Sequence, residues 1–326
     1  MLILGMETSC DETAVAILSS RRRIYIDKIF SQTKLHRSFG GIVPKVASKN
    51  HLDILPYLTN NILTELNMNI KKISLIAVTV KPGLKKCLLI GLIHAKTIAS
   101  LINKKYIAVD HLEGHILSAS INNIGIKYPY LVLLISGGHC EIIFAIEVER
   151  YKIVSYTVDD SIGESFDKIA KILNLGYPGG DIIENYAKYG NSNRIKIKNN
   201  SCNFSFSGVK TYFIQKINKL NNFNRKDIFE ICTAFQKTIT NIINYKVIKS
   251  LILFNSKYKI SNHIVISGGV ASNNYIKRVL YMNIKAIGYK LYFPKRGLCT
   301  DNAVMISYTG ITKFYKRIYT NINLSL

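Results

Sequence analysis

LILGMETSCDETAVAILSS, residues 2–20, is an apolar stretch that enters a short polar turn and continues as a second apolar stretch. The same form returns in YLVLLISGGHCEIIFAIEV, residues 130–148, where the turn contains Ser136, Gly137 and Gly138. Apolar runs joined by turn residues predict strand–turn–strand hairpins. Two such hairpins about 130 residues apart predict a duplicated α/β unit, because that spacing is far longer than a solenoid repeat.

The remaining pattern alternates strands with helices. HIVISGGVASNN, residues 263–274, predicts a strand that ends at Ser267 and a helix that begins near Ser272 or Asn273. Helical patterns cover residues 49–66, 88–102, 111–121, 166–173, 228–254 and 302–315. This alternation indicates mixed α/β domains and not a helix bundle or a sandwich.

Length and composition limit the class of protein. A chain of 326 residues is long enough for two domains, each with its own core. No segment approaches the roughly 18 uninterrupted apolar residues of a spanning helix, and the N-terminus lacks the basic region of a signal peptide. The six cysteines form no CxxC pair, which argues against a zinc knuckle or a disulfide framework. We therefore expect a cytoplasmic protein with no membrane span and reduced cysteines.

The charge balance is strongly basic. The chain has 44 Lys and Arg against 20 Asp and Glu, a formal net charge of +24. Such an excess in a cytoplasmic protein is typical of a nucleic-acid partner. The alternative is compositional bias, since the chain is also rich in the Lys, Asn, Ile and Tyr that an A+T-rich genome favours.

Nucleotide-binding signatures are absent from the sequence, which contains neither GxxxxGK[ST] nor GxGxxG. It has instead three glycine pairs, Gly137-Gly138, Gly179-Gly180 and Gly268-Gly269. One such pair is usually only a turn. Three pairs, each beside hydroxyl, amide or carboxylate groups, predict a site where backbone amides meet a phosphate or a carboxylate.

HLEGH, residues 111–115, places two histidines one helical turn apart, so one metal ion could take both. It differs from the HExxH of zinc proteases, because Leu112 holds the position of the catalytic glutamate and Glu113 points to another face. Two histidines at this spacing are also common on an ordinary helix. A third ligand would come from elsewhere, and Asp301 in CTDNAVM is the best candidate, although an Asp at a helix start is often only an N-cap. We expect two domains that close on a cleft to bring it to the histidines.

A further block, SIGESFDKIAKILNLGYPGG at residues 161–180, places Asp167 on the first turns of a helix that leads to a Pro-Gly-Gly loop. Asp167 is either a solvated residue favoured by the helix dipole or a hydrogen-bonding partner of a ligand. The sequence alone leaves both interpretations open.

Taken together, these blocks resemble the TsaD/Kae1 family of tRNA N6-adenosine threonylcarbamoyltransferases, in its bacterial form. The stretches that carry the resemblance run in order along nearly the whole chain: ETSCDETAVAI at 7–17, GGIVPKVASKNH at 40–51, PGL at 82–84, HLEGH at 111–115, LISGGHCE at 134–141, GESFDKIAKILNLGYPGG at 163–180, FSFSGVKT at 204–211, SGGVASNN at 267–274 and CTDNAVM at 299–305. The resemblance implies an actin-like (ASKHA) α/β fold, a ribonuclease H-like duplication with two domains around a cleft. We expect one domain of residues 1–128 completed by 296–326, and a second of residues 129–295.

The resemblance also implies the reaction. The family transfers a threonylcarbamoyl group from threonylcarbamoyl-AMP to N6 of adenosine 37, next to the anticodon, in tRNAs that read codons beginning with A. The family's metal ligands correspond to His111, His115 and Asp301, with Fe²⁺ favoured over Zn or Mg. Its substrate contacts correspond to Leu134, Ile135, Ser136, Gly137, Gly138, Asp167, Gly180 and Asn273. The expected partners are tRNA, threonylcarbamoyl-AMP, a TsaB-like paralogue of the same fold and a TsaE-like ATPase.

Four positions depart from the family pattern. Asp110 stands where the family usually has a further histidine, and Lys81 where it commonly has glycine. Lys45 and Lys49 stand in the places of a glutamate and an arginine. Two other functions compete with the transferase, a metal-dependent peptidase and a non-catalytic tRNA-binding partner of the same fold. The misplaced glutamate disfavours the first, and the retained His-His-Asp set disfavours the second.

Overall fold

The computed structural model describes residues 1–36, 39, 41–138, 140–193, 203–220, 224–258 and 261–320. These residues form the strands β1 (Leu2–Glu7), β2 (Glu12–Ser19), β3 (Ile24–Ser31), β4 (Leu75–Lys81), β5 (Tyr106–Asp110), β6 (Tyr130–Ile135), β7 (Cys140–Glu147), β8 (Arg150–Tyr156), β9 (His263–Ser267) and β10 (Lys290–Tyr292). They also form the helices α1 (Thr33–His36), α2 (Pro44–Glu65), α3 (Lys85–Leu101), α4 (His111–Ser118), α5 (Ile162–Ile172), α6 (Gly179–Ala187), α7 (Ser207–Asn218), α8 (Arg225–Lys257), α9 (Asn274–Ala286) and α10 (Ala303–Tyr315).

The chain divides into two compact units. Unit 1 comprises Met1–Ile124 and Thr300–Leu326, and unit 2 comprises Gly125–Cys299. Each unit contains one five-stranded sheet, in the order β3-β2-β1-β4-β5 in unit 1 and β10-β9-β6-β7-β8 in unit 2.

The two sheets are built in the same way. In unit 1, β1, β2 and β3 pair antiparallel, whereas β4 and β5 join β1 in parallel. In unit 2, β6, β7 and β8 pair antiparallel, and β9 and β10 join β6 in parallel. The matching order confirms the predicted duplication of an α/β unit, and both predicted hairpins are present.

The core of unit 1 lies on the sheet, whose central strands are buried on both faces. The strand β1 reads as an almost continuous apolar run because helices cover both of its faces, as a parallel neighbour requires. The C-terminal helix α10 packs directly on this sheet. This close approach requires glycine at two positions, because a Cβ atom at Gly5 would overlap Ser307 and one at Gly310 would overlap Ala77. This close packing fixes the residues just before α10.

The core of unit 2 joins β6 and β9 to α5, α7, α8 and α9. The 33-residue helix α8 begins with a capping box in which Asn224 and Asp227 satisfy each other's backbone amides. Phe166, Phe213 and Phe235 meet edge to face inside this core. The aromatic contacts hold α5, α7 and α8 in a fixed arrangement around the glycine-rich turns.

Three helices of the described residues were not expected from the sequence: the short α1, α6 and α7. The structure continues Pro178-Gly179-Gly180, which reads as a loop, into helix α6, and it places FSFSGVKT at the start of helix α7. Glycine is a poor helix former, so the pair conceals the start of α6. The predicted helix at 111–121 is α4 followed by a short 3-10 turn, Ala119–Ile121. Among the described residues, no helix combines the length and apolar character needed to cross a membrane.

Candidate functional site

The two histidines of HLEGH lie on α4, which begins directly where β5 ends. Asp110 is the last residue of β5 and the N-cap of α4, and its carboxylate accepts hydrogen bonds from the amides of Leu112 and Glu113 at 2.9 and 3.3 Å. The cap fixes the first turn, so His111 and His115 lie one turn apart and their rings meet edge to face, with centroids 4.8 Å apart. Both histidines are buried, with exposed fractions of 8% for His111 and 2% for His115.

Asp301 reaches these histidines from the start of α10. Its Oδ1 atom lies 3.0 Å from Nε2 of His115 and 3.4 Å from Nε2 of His111. The N-cap of α10 is the next residue, Asn302, whose side chain accepts the amide of Met305 at 2.9 Å. The alternative in which Asp301 is merely the cap is therefore wrong. All three residues belong to unit 1, so bringing them together needs no closure of two domains.

The other nitrogen of His111 is held by a buried acid. Nδ1 of His111 lies 3.0 Å from Oε2 of Glu7, a residue with no exposed surface, and 3.3 Å from the hydroxyl of Ser9. Glu7 itself accepts the amide of Ser9 and the hydroxyl of Thr79, each at 2.5 Å. A carboxylate on the far nitrogen fixes the ring and its tautomer so that Nε2 faces Asp301.

The charges of this cluster perturb one another. Burial opposes a charge on His111, but Glu7 and Asp301 outweigh it and hold the pKa of the imidazole well above its usual value. Burial would raise the pKa of Asp301 and of Glu7, yet His111 lowers both. Burial and the nearby Asp301 carboxylate raise the pKa of Glu12 to about 9. A cation at the cluster therefore faces a concentrated negative field.

The donor set suits a divalent metal. The closest ligand atoms of His111, His115 and Asp301 all lie within 4.8 Å of one another. Nε2 of His115 faces Asp301, while Nδ1 is buried and no described residue hydrogen-bonds to it. Two imidazoles and one carboxylate are a common set of three protein ligands that leaves positions open for substrate or water. The chain thus carries a possible His-His-Asp metal site.

Glu113, the third polar residue of HLEGH, has a different role. It is 3% exposed, and its Oε2 lies 3.5 Å from Nζ of Lys313, a buried residue of α10. The same ammonium donates to the carbonyl of Ala108 at 3.1 Å. The predicted position on another helical face is confirmed, and the ion pair ties α4 and β5 to α10. It thereby joins the two elements that carry the three potential ligands.

Lys81 and Asp110, two of the residues that depart from the family pattern, contact each other. Nζ of Lys81 lies 3.7 Å from Oδ2 of Asp110, and the two residues are paired in the β4–β5 ladder. Lys81 is mostly exposed, so the ion pair itself contributes little. Asp110 nonetheless stabilises the start of α4 as its N-cap. Lys45 and Lys49 lie exposed on the first turns of α2.

The proposed substrate contacts lie in unit 2. Leu134 and Ile135 end β6 with fully buried side chains, so only their backbone could meet a ligand. Ser136, Gly137 and Gly138 follow as a turn, and the open space around both glycines would admit a close ligand. A hydrogen bond holds the turn in place: the hydroxyl of Ser161, the N-cap of α5, donates to the carbonyl of Gly137.

The glycines after β9 pack against the end of β6. The parallel ladder pairs Leu134 with Ser267, and Gly268 then takes φ 95° and ψ 162°, a conformation essentially restricted to glycine. A side chain at Gly268 would lie 2.3 Å from the carbonyl oxygen of Ile135. The first and third glycine pairs, Gly137-Gly138 and Gly268-Gly269, therefore follow neighbouring strands of one sheet, as the prediction of one shared site requires.

The other three contacts are tied to helix starts. Asp167 accepts the amide of Gly179 at 2.7 Å, which joins α5 to the first turn of α6 beside Gly180. Burial raises the pKa of Asp167. Asn273 caps α9 by accepting the amide of Ile276 at 3.0 Å, and its NH₂ donates to Gln236 at 3.0 Å. Asp167 and Asn273 thus have structural partners as well as the predicted role toward a ligand.

Several residues of the cluster escaped the sequence reasoning. Glu7, Ser9 and Thr79 surround His111 but are separated from it by 104, 102 and 32 positions, and no spacing rule links them. The first two are part of ETSCDETAVAI, which predicts a hairpin and carries part of the family resemblance but gives neither residue a role. Gln236 behind Asn273 and Lys313 behind Glu113 carry no sequence signal either. Each was found only because the fold places it beside a residue already singled out.

Solved structures with the same fold place the chain in a broad class. It is similar to HypF from T. kodakarensis, with a TM-score of 0.64 and 12% identity over 98% of this chain and 48% of that one. It is also similar to component A of the (R)-2-hydroxyglutaryl-CoA dehydratase of Acidaminococcus fermentans, with a TM-score of 0.57 and 14% identity over 96% and 98% of the two chains. At such identities the likeness concerns the fold alone. Together with the repeated sheet order, it defines a two-domain α/β protein with a duplicated five-stranded mixed sheet that carries a His-His-Asp cluster.

Sequence comparison narrows the class to one family. The family profile of TsaD, tRNA N6-adenosine threonylcarbamoyltransferase, matches residues 23–308. The tRNA N6-adenosine threonylcarbamoyltransferase of Rickettsia canadensis (strain McKiel) is 41% identical over 98% of this chain and 96% of its own length. That of Orientia tsutsugamushi (strain Boryong) is 40% identical with the same coverage. The chain therefore belongs to the TsaD family, and its class is that of the acyltransferases.

Proposed function

We propose that the chain transfers the threonylcarbamoyl group of threonylcarbamoyl-AMP to N6 of adenosine 37 in tRNAs that read codons beginning with A. The observation that carries this proposal is the convergence of His111, His115 and Asp301 in a member of the TsaD family. In the transfer, N6 of the adenosine forms a bond to the carbamoyl carbon, the bond to the AMP oxygen breaks, and N6 loses a proton. The amine is a weak nucleophile, so the reaction depends on alignment and on polarisation of the acyl group.

We assign His111, His115 and Asp301 as ligands of one divalent metal ion. When bound, the ion would supply Lewis-acid polarisation of the oxygens of the acyl-adenylate. Fe²⁺ is the ion we favour, because two histidines and one carboxylate with open positions are typical of non-haem iron, with Zn and Mg as the alternatives. Glu7 would act as the positioning residue for His111 through the hydrogen bond to Nδ1.

Substrate binding is proposed for the glycine-rich turns of unit 2. The backbone of Ser136, Gly137 and Gly138 forms an open turn, and the first turn of α6 at Gly180 presents further backbone amides. Such groups favour a phosphate or a carboxylate, both of which the acyl-adenylate contains. Backbone groups of Leu134 and Ile135, together with Asp167 and Asn273, would complete the contacts.

The proposal includes the partners implied by the family. These are tRNA as substrate, a TsaB-like paralogue of the same fold and a TsaE-like ATPase, with the reaction in the cytoplasm. The net charge of +24 supports a polyanionic substrate.

The central experiment compares His111→Ala and Asp301→Ala with the wild type in a reconstituted modification assay read by nucleoside analysis. Loss of the ligands removes several kcal/mol of transition-state stabilisation, so we expect a decrease of about 10³-fold or more. Circular dichroism checks that both variants are folded, and Asp53→Ala, at an exposed acid of α2, is the control. Full activity of either ligand variant would overturn the metal assignment.

The peptidase alternative is tested with the same proteins. Glu113, the acid between the two histidines, is committed to Lys313 and cannot serve as the base of a zinc protease. We expect metal-loaded protein to leave an unfolded polypeptide intact. Cleavage that disappears in His115→Ala would instead favour the peptidase.

A further inference from the structure

The charges of the chain are unevenly distributed. Residues 231–300 contain eleven Lys and Arg and no Asp or Glu, and Asp301 is the single acid after Glu230. Compositional bias toward lysine adds positive charge throughout a chain, but residues 125–230 of the same unit still contain eleven acids. The absence of acids is therefore a property of one part of unit 2, which includes β9, α9 and β10.

Within this part, α9 sorts its residues onto two faces. Ile276, Leu280 and Ile284 are buried at one-turn spacing and pack into the core of unit 2. The adjoining stripe of the helix carries Lys277, Arg278, Tyr281 and Lys285, of which Lys277 is half-buried and the other three are exposed. These four residues are named the α9 basic face.

The cations of this face form no ion pair within the part of the chain that the structure describes. No described residue forms an ion pair with Lys277, Arg278 or Lys285, whereas Lys168 and Lys210 of the same unit both pair with Asp160. Two of the three instead lie over aromatic rings. Nζ of Lys277 is 5.4 Å from the ring centre of Phe293, and Nζ of Lys285 is 5.5 Å from that of Tyr281. Ring contacts orient an ammonium without cancelling its charge, so the face retains its affinity for an anion.

The face starts at a residue with a proposed role in substrate binding. Asn273 caps α9, and the amide of Lys277 donates to its carbonyl at 3.0 Å. Lys277 is thus one turn from Asn273. At the rise per residue of an α-helix, the distance along the axis from Asn273 to Lys285 is about 18 Å. An extended anion bound at Asn273 could follow α9 across three turns.

We infer that the α9 basic face binds the phosphate backbone of the tRNA beside the adenosine that is modified. This inference rests on the proposed function, which brings tRNA to the residues around Asn273. Phosphate contacts of this kind position a nucleic acid without reading its sequence. RNA is favoured over an acidic membrane because the face is a narrow stripe of four residues along one helix, and the exposed large aliphatic side chains of α9 and its C-cap are Met282 and Ile287, a small apolar surface to enter a lipid bilayer.

The experiment measures the affinity of the full-length protein for an unmodified tRNA transcript by fluorescence anisotropy at several salt concentrations. One variant combines Lys277→Gln, Arg278→Gln and Lys285→Gln. Its control combines Lys71→Gln, Lys72→Gln and Lys104→Gln, which removes the same charge from exposed positions of unit 1. We expect the α9 variant to bind at least tenfold more weakly and its salt slope to fall by about 2, since each lost phosphate contact removes about 0.7–0.9. The control should remain within twofold of the wild type.

Modification kinetics separate this inference from the proposed function. With the complete set of proteins, the α9 variant should show a raised KM for tRNA and an unchanged kcat at saturating tRNA. The inference would be overturned if both triple variants bound tRNA equally weakly, or if the α9 variant bound it as tightly as the wild type. In either case, tRNA modification by the wild type would still support the proposed function. Absence of modification by the wild type would contradict the proposed function itself. Loss of binding to phosphatidylserine vesicles in the α9 variant, with tRNA affinity intact, would assign the face to a membrane instead.

Discussion

Unit 1 and unit 2 share one strand order, yet they position their candidate functional groups by different means. Unit 1 uses charged side chains that it buries, among them Glu7, His111 and the Glu113–Lys313 pair. Unit 2 uses the backbone of glycine-rich turns and the starts of helices. Removing a charge should therefore damage unit 1, and adding a side-chain atom should damage unit 2.

The largest effect is expected for Lys313→Met. The substitution leaves the carboxylate of Glu113 buried without its cation, which costs about 3–5 kcal/mol of the free energy of unfolding. Urea denaturation followed by circular dichroism measures the change. Lys316→Met, at an exposed lysine of the same helix end, should stay within about 0.5 kcal/mol. The double variant Glu113→Gln, Lys313→Met should recover part of the loss, and no recovery would mean that the pair is not the cause.

The corresponding change in unit 2 is Gly268→Ala. The added Cβ meets the carbonyl of Ile135 and forces a conformation with positive φ, so we expect a loss of about 2–3 kcal/mol. The matched control is Gly137→Ala, which has open space around the new atom and should leave the unfolding midpoint unchanged. If both alanine variants were equally stable, close packing of the two turns would not be what requires glycine at 268.

A subtler change in unit 1 is Glu7→Gln. An amide that donates to Nδ1 of His111 favours the tautomer with a proton on Nε2, and Nε2, the nitrogen that faces Asp301, then cannot bind a metal. We expect metal affinity to fall about 10–100-fold in an anaerobic titration. Glu65→Gln, in a surface ion pair with Lys28, should bind the metal as the wild type does. Unchanged affinity in Glu7→Gln would remove Glu7 from the proposed site.

The smallest effect is expected at the family departure Asp110. Asp110→Ala removes the cap of α4 and should cost about 1 kcal/mol of unfolding free energy, whereas Asp110→Asn retains an acceptor and should cost less. Lys81→Gln is the control, because the exposed ion pair contributes little. A Lys81 variant as unstable as Asp110→Ala would show that the ion pair, not the cap, matters.

Prediction from sequence succeeded where a local pattern specifies the structure. The two hairpins, the alternation of strands and helices and the spacing of His111 and His115 follow from periodicity, because side chains repeat every two residues in a strand and about every 3.6 in a helix. Helix α6 was missed because Gly179-Gly180 has the local signal of a loop, and packing of Gly179 under Asp167 and Phe166 overrides it. The roles of the site residues toward a metal and a substrate remain predictions.

What the sequence determined by itself was therefore the duplicated α/β class, the family and two histidines on one helical face. Only the tertiary structure decided that Asn302 caps α10 while Asp301 faces the histidines, that Glu7 holds His111, and that Glu113 belongs to Lys313. The contacts of Glu7 with His111, of Asp301 with His115 and of Glu113 with Lys313 join residues 104, 186 and 200 positions apart. No periodic pattern spans such distances, because they are set by how helices pack on a sheet and by the need of a buried charge for a partner.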